Sequence, residues 1–452
     1  MGRVMIAGTH SGCGKTTVVC GILAALRRRG LSLASFKCGP DYIDPMFHRR
    51  ALGIPSYNLD LFLCSEQRVR QLLTHHSSGV QLSVMEGAMG YYDGVGGDTS
   101  QASAWHLVQV TESPTVLVVD GRGASRSICA TVKGYLEWER DSRIRGVILN
   151  RVSPMLYPRL KEMLEAHLPV QVLGCLPPMP DCTLESRHLG LVTAAETPRV
   201  QEILDKLAEQ VQKSIDLDAL LQLSQVPLLP DALPQLEKLS PVRLAVAMDE
   251  AFCFTYADNL ELLQILGAEI CPFSPMKDEH LPFNVDGLLL CGGYPELHLQ
   301  ELSQNKTMLQ EIRSAVADGM PTWAECGGFL YLMEQLDGVP MVGALPGRGW
   351  NNGKLTRFGY VVLTAQRDNL LCKEGQVLHA HSFHYWDTDC NGVDFAAQKP
   401  RGSMKWDCIH ARGNLFAGFP HLHLWSQPEL AQNFLKACWE YHHDTGTSIT
   451  NQ

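Results

Sequence analysis

Short unbroken apolar runs alternate along this chain with segments whose apolar residues recur at helical spacing. Residues 4–7 form the first run, and 31–36, 81–85, 114–119, 144–149 and 170–175 follow, each of strand length. Between the first two, Val18, Val19, Ile22, Leu23 and Leu26 mark one face of a helix. Strands that alternate with helices and end in polar tips predict an α/β fold with a doubly wound parallel sheet. An amphipathic helix is expected over 197–213, continued by 215–223, before Pro227, Pro230, Pro234 and Pro241 interrupt the pattern. Buried runs then resume at 242–248, 286–290, 321–324 and 415–419, the signature of a second doubly wound domain. The expected organisation is therefore a first domain over 1–195, a helical linker over 196–241 and a second domain over 242–445.

The length of 452 residues agrees with more than one core. A formal net charge of −10 disfavours nucleic acid as a partner, because phosphate binding needs a basic face. No apolar run approaches the length that spans a bilayer, and the chain opens directly on a strand, so neither a membrane segment nor a leader is expected. The 15 cysteines include no Cys-x-x-Cys pair, and Cys20, Cys129 and Cys291 fall within apolar runs. That usage fits reduced, buried thiols in a cytoplasmic protein rather than a disulfide framework or a zinc site.

The first strand leads into Gly8-Thr9-His10-Ser11-Gly12-Cys13-Gly14-Lys15-Thr16-Thr17, a glycine-rich turn before a helix. Such a turn aims backbone N–H groups at phosphate oxygens, with the helix N-terminus adding partial positive charge. Gly12, Gly14, Lys15, Thr16 and Thr17 are thus candidates for ATP binding, with Lys15 on the terminal phosphates and the Thr16 hydroxyl on Mg2+. Thr9 stands five positions before Gly14, where the usual pattern has a small residue, with Gly8 one step early. His10 stands where partner-regulated ATPases of this type carry lysine, which argues against that subclass. Carboxyl ends of parallel strands line the ligand crevice. The tips carrying Lys37, Asp41, Tyr42 and Asp44, then Glu86 and Asp93, and finally Asn150 should therefore lie beside the loop. Glu86, at the tip of a strand next to the loop, is the second candidate metal ligand. Asn150 either meets a nucleobase edge or closes a turn. The polar segment 185–191 gives no chemical reading.

In the second domain, Ala324-Glu325-Cys326-Gly327-Gly328 places a cysteine on a sharp strand-to-helix turn, a nucleophile elbow. Cys326 is the candidate nucleophile, and the N–H groups of Gly327 and of Gly293, on a neighbouring strand end, are candidate oxyanion donors. The base is His421 or His423. A further histidine pair, His381 and His384, fits substrate binding or structure better than metal ligation.

Together AGTHSGCGKTT, FKCGPDYIDP, MEGAMGYYDG, GVILNRV, LCGGYPELH, AECGGFLYL and the His421 segment resemble, in order, the cobyrinic acid a,c-diamide synthases of cobalamin biosynthesis. These join a synthetase domain related to dethiobiotin synthetase to a class I glutamine amidotransferase domain. The resemblance implies a corrinoid substrate, L-glutamine as nitrogen donor, ATP and Mg2+. It implies Cys326 as nucleophile and His421 as its base. Asp41, Tyr42, Asp44, Glu86 and Asp93 would lie around magnesium and the corrinoid carboxylate, and Asn150 would recognise adenine. Ammonia would have to reach an acyl phosphate unprotonated, along a shielded path. Other class I enzymes carry a glutamate two places after the histidine; His423 stands there, so the third triad member is missing or comes from elsewhere, and since the family commonly lacks it a Cys–His dyad is expected. Ser382 replaces the glutamate of the family's Gly-His-Glu-Phe-His segment. The alternatives are a ligase for another tetrapyrrole (cobyric acid synthase or the nickel-sirohydrochlorin enzyme), or a regulatory ATPase with a silent second domain. The chain is expected to act alone or as a homodimer.

Overall fold

A computed structural model describes residues 2–182 and 200–449, and the chain divides into two compact units, 1–233 and 234–452. Segment 185–191 and the first residues of the helix expected from 197 lie outside the described residues.

In the first unit β1 (Gly2–Gly8), β2 (Leu33–Cys38), β3 (Ser56–Leu59), β4 (Leu82–Glu86), β5 (Thr115–Asp120), β6 (Ile144–Asn150) and β7 (Gln171–Leu176) form one sheet. Their order is β3-β2-β4-β1-β5-β6-β7, and every pairing is parallel. All seven residues of β1 are buried, as expected of a central strand covered on both faces. The chain winds one way from β1 to β2 and β3 and the other way through β5 to β7, so a crevice opens at the carboxyl end of β1. β3 is not foreseen by the hydrophobic pattern, because Ser56-Tyr57-Asn58-Leu59 is too polar to stand out. β2 runs to Cys38, which puts Lys37 inside the strand and not on the following loop.

The helices expected in a linker belong to this unit. Val200–Ser214 packs on α1 (Lys15–Arg28), where a Cβ at Gly21 would stand 2.7 Å from Val211. The helix does not continue through Ile215. Asp216 interrupts it and caps a new helix, Leu217–Leu223, accepting the Ala219 N–H at 2.9 Å.

In the second unit β8 (Val242–Ala247), β9 (Ala268–Phe273), β10 (Gly287–Leu290), β11 (Thr322–Glu325) and the late β18 (Leu415–Gly418) form a parallel sheet in the order β18-β11-β10-β8-β9. A second, largely antiparallel sheet comprises β12 (Gln335–Leu336), β13 (Val339–Pro340), β14 (Arg348–Ala365), β15 (Val377–Thr388), β16 (Phe395–Gln398), β17 (Lys405–Cys408) and β19 (His421–Leu422). The expectation of a doubly wound domain omits this sheet. Its long strands alternate polar and apolar residues around a bulge near Arg357 and Gly359, which hides them from a search for buried runs. Among the described residues no helix is long and apolar enough to cross a membrane.

α1 starts immediately after Gly14, whose φ of 88° lies in the left-handed region. A Cβ there would come within 2.0 Å of Asn150 Nδ2. Gly14→Ala should therefore cost about 1–3 kcal/mol, read as a lower urea midpoint for the unfolding of the first unit. An unchanged midpoint would contradict this account of the turn.

Candidate functional site

Parallel pairing delivers the phosphate-type loop and the tips of β2, β4, β5 and β6 to one edge of the first sheet. Gly12 and Gly14 both adopt positive φ, and the loop is braced from below. Asn150 is buried and donates from Nδ2 to the Cys13 carbonyl at 2.8 Å, while Arg151 bridges the Gly12 carbonyl at 2.9 Å and Asp120 Oδ2 at 2.8 Å. This bond ties the Asn150 amide to the loop itself. Lys15 reaches across to the Met89 carbonyl at 3.0 Å, and burial together with nearby Lys37 lowers its pKa. Thr17, the third residue of α1, is half-buried.

The Thr16 hydroxyl donates to Glu86 Oε1 at 2.7 Å, so the two candidate metal ligands meet. Glu86 is fully buried, and its other oxygen, Oε2, has no hydrogen-bond partner. Burial, reinforced by Asp44, raises its pKa although Lys37 Nζ donates to Oε1 at 3.1 Å. A hydroxyl beside a buried carboxylate with an unused oxygen is a hard-donor set that suits a divalent cation next to phosphate.

Lys37 is the residue whose weight is easiest to underrate from sequence. It is buried, pairs with Asp44 and Glu86, and lies 3.9 Å from Asp41. Burial opposes charge on both Lys37 and Asp44, but their pairing wins, raising the lysine's pKa and lowering the aspartate's. Asp41 accepts the Ile43 N–H at 2.9 Å, and burial beside Asp44 pushes its pKa up to about 8. Tyr42 is buried at the start of helix Ile43–Leu52. Behind them His48, held near pKa 4 by burial and so neutral, pairs with the Ser35 hydroxyl at 2.9 Å and stands 4.0 Å from Glu86 Oε2. Asp93 is exposed and closes a turn, accepting the Gly90 N–H at 2.8 Å.

The second unit repeats the logic. β11 lies between β10 and β18, so its tip faces the Gly292-Gly293 turn on one side and the His421 segment on the other. Cys326 has φ 48° and ψ −102°, a strained geometry for a residue with a side chain. Its N–H donates to the Gly418 carbonyl at 2.8 Å, which fixes the elbow, and its Sγ lies 3.8 Å from the Phe383 carbonyl oxygen. A Cβ at Gly327 would stand 2.9 Å from the Gly293 nitrogen, so the two expected oxyanion residues are neighbours. A Cβ at Gly292 would strike the His421 ring at 2.5 Å.

Of the two candidate bases, His421 is the one the fold brings to the sulfur: it is buried and interacts with Cys326. Its Nδ1 donates to Glu325 Oε2 at 3.1 Å, and Glu325 Oε1 accepts the Leu422 N–H at 3.2 Å. A carboxylate that the expected dyad does not include thus joins Cys326 and His421 in one hydrogen-bonded chain. The carboxylate comes from the residue preceding the nucleophile and not from two places after the histidine. Burial works against charge on His421, but hydrogen bonds to Cys326 and Glu325 outweigh it and carry the pKa up to about 10. With Nδ1–H given to Glu325, Nε2 is the atom left for the sulfur.

His423 is committed elsewhere, 3.7 Å from Asp258 and packed on Tyr256. His381 pairs with His421 across β15 and β19, so the two side chains share a face. His384 gives its Nδ1–H to the Trp386 carbonyl at 2.5 Å and stacks on Phe419. Burial holds His381 near 3 and His384 near 4, so both stay neutral and leave the proton to His421.

Glu325→Gln should lower the His421 pKa from about 10 towards 6.5, followed by its ring resonances, and slow glutamine hydrolysis by about a hundredfold or more. A histidine with a raised folded pKa stabilises the fold fully below about pH 6.5 and loses that contribution as pH rises to about 10. The stability gap between wild type and variant should close over the same window. An unmoved His421 titration would contradict the relay.

A model of the CobQ/CobB/MinD/ParA nucleotide binding domain matches residues 4–192, and one of the CobB/CobQ-like glutamine amidotransferase domain matches residues 243–429. The cobyrinate a,c-diamide synthase of Caldanaerobacter subterraneus subsp. tengcongensis is 39% identical over 445 residues, covering 96% of this chain and 98% of the relative. That of Synechococcus sp. is also 39% identical, over 448 residues, with 96% and 98% covered. The Salmonella typhimurium protein of the same name is 37% identical over 448 residues, with 96% and 97% covered. Likeness of this degree over nearly the whole length, with both reactive centres in place, makes the chain a member of the cobyrinate a,c-diamide synthase family.

Proposed function

We propose that this chain amidates the a and c acetate carboxylates of cobyrinate, or of its metal-free counterpart, with nitrogen drawn from glutamine and activation by ATP. The observation that carries the reading is the end-to-end match to relatives named cobyrinate a,c-diamide synthase, joined to an intact thiol–imidazole relay and an intact phosphate loop.

In the first unit a substrate carboxylate attacks the γ-phosphorus of ATP, forming an acyl phosphate and releasing ADP. Such a reaction depends on positioning and charge neutralisation more than on covalent help from the protein. The N–H groups of the Gly12–Gly14 turn cradle the phosphates, and Lys15 exchanges its Met89 contact for the terminal phosphate oxygens. Thr16 and Glu86 would hold Mg2+, whose chemistry there is to neutralise charge on the phosphate oxygens. Lys37 holds Asp44 and Glu86 in place. Asp41, Tyr42 and Asp44 line the approach of the corrinoid carboxylate, and Asp93 shapes the neighbouring turn. Asn150 holds the loop through the Cys13 carbonyl, and adenine would be met at the same strand tip.

In the second unit the Cys326 thiolate, paired with the imidazolium of His421, attacks the glutamine carboxamide carbon. The Gly293 and Gly327 backbone N–H groups receive the oxyanion. His421 gives its proton to the leaving nitrogen, freeing ammonia and leaving a thioester. Water then attacks the thioester, with His421 taking its proton, and releases glutamate and the thiolate. Ammonia displaces phosphate from the acyl phosphate to give the amide.

Cys326→Ala should abolish amidation with glutamine while amidation with added ammonium persists; continued use of glutamine would contradict the role of Cys326. Lys15→Ala should abolish amidation with either nitrogen source. ATP turnover should be faster with cobyrinate than with its a,c-diamide or with nickel-sirohydrochlorin. A preference for either of those would overturn the substrate.

A further inference from the structure

We propose that Glu296 recognises the α-ammonium group of the glutamine donor. The inference rests on the glutaminase reading of the Cys326 centre and names a determinant of its donor specificity. Glutamine arrives as a zwitterion, with its α-ammonium group two methylenes from the carboxamide that Cys326 attacks. A site that distinguishes glutamine from other primary amides needs an anion at that distance.

Glu296 lies on the turn that also builds the oxyanion site, three residues after Gly293. That turn is pressed against the elbow, since Pro295 Cδ would stand 2.8 Å from a Cβ at Gly327. It is held rigidly: Tyr294 N–H donates to the Ala251 carbonyl at 2.9 Å and His298 N–H to the Pro295 carbonyl at 3.0 Å. The turn spans Pro295–Leu297 and runs directly into helix Leu299–Gln304, so the backbone that carries Glu296 is held against the residue that follows the nucleophile.

The buried carboxylates of this unit have cationic or imidazole partners. Glu325 pairs with His421, Asp258 with His423, Asp286 with His442, and Asp394 with Arg367 and Arg412. Half-buried Asp249 and Glu296 have no such partner: Asp249 is held instead by the Ala251, Phe252 and Met276 N–H groups and the Ser274 hydroxyl, whereas among the described residues no lysine, arginine or histidine lies within ion-pair distance of the Glu296 carboxylate. Burial raises its pKa to about 7, and no neighbouring charge contributes. Holding a carboxylate in a recess without a counter-ion is unfavourable, and an ammonium group from a ligand relieves it.

The test compares ammonia release from glutamine with release from 4-carbamoylbutanoate, which is glutamine without its α-amino group, using the full-length chain. Wild type should prefer glutamine, and Glu296→Gln should raise KM for glutamine by about ten- to hundredfold, the weight of one charged hydrogen bond. The same variant should handle 4-carbamoylbutanoate within about twofold of wild type, and Glu296→Asp should retain part of the preference. Equal loss with both donors, or no change with either, would overturn the assignment. Ammonium-dependent amidation by the variant reports that it is folded. Should the variant not fold, wild type alone decides: equal kcat/KM for the two donors overturns the proposal, and a marked preference for glutamine supports it. Wild type that releases no ammonia from glutamine would instead overturn the glutaminase reading itself.

Discussion

In a sheet whose strands all run the same way, every strand hands its carboxyl end to one edge, and whatever follows those ends must share a single crevice. Both units of this protein depend on that constraint. In the first it gathers the phosphate loop after β1, Glu86 at the end of β4, Lys37 near the end of β2 and Asn150 at the end of β6. In the second it sets Cys326, after β11, between the Gly292-Gly293 turn after β10 and the His421 segment after β18. Residues almost a hundred positions apart, such as Glu325 and His421, meet because neighbouring strands end level.

Crowding charges at a strand edge requires that they neutralise one another. In the first unit Lys37 sits among Asp41, Asp44 and Glu86, and the pairing keeps Asp44 ionised despite burial. Among the described residues Glu86 Oε2 accepts no hydrogen bond, and neutral His48 stands 4.0 Å from it. In the second unit the same economy fixes the proton. Glu325 and Cys326 hold it on His421, while His381 and His384, buried without a carboxylate, stay neutral. Burial without a carboxylate leaves two of these histidines neutral, while partners that outweigh burial keep the third charged. The Gly-rich turns matter for the same reason, because side chains at Gly14 or Gly327 would push these groups apart.

Much of this was legible in the chain itself. The apolar runs locate every parallel strand but β3 and β9 to within a residue or two, because strands covered on both faces must be continuously apolar, whereas β9 exposes Glu269 and Pro272. The two signature turns stand out because their chemistry is local: Gly14, Lys15 and Thr16 are consecutive, as are Cys326, Gly327 and Gly328. What escaped the pattern depends on contacts across the fold. Glu325 reads as an ordinary strand end until β19 brings His421 to it. Lys37 reads as a loop charge until β2 is seen to carry it inside. Asn150 reads as a free amide until Cys13 is found beneath its nitrogen. The antiparallel sheet was missed because its half-polar strands carry no unbroken apolar run, and β3 because it is short and polar.

The central claim is that nitrogen freed at Cys326 becomes the new amide nitrogen of the activated corrinoid carboxylate. It is tested most directly by supplying glutamine labelled with 15N in its carboxamide, together with ATP and cobyrinate in ammonium-free buffer, and weighing the product. The account requires a heavy nitrogen at each new amide, with ADP formed in step. Unlabelled glutamate-linked turnover without heavy corrinoid product, or label appearing in the absence of ATP, would contradict it.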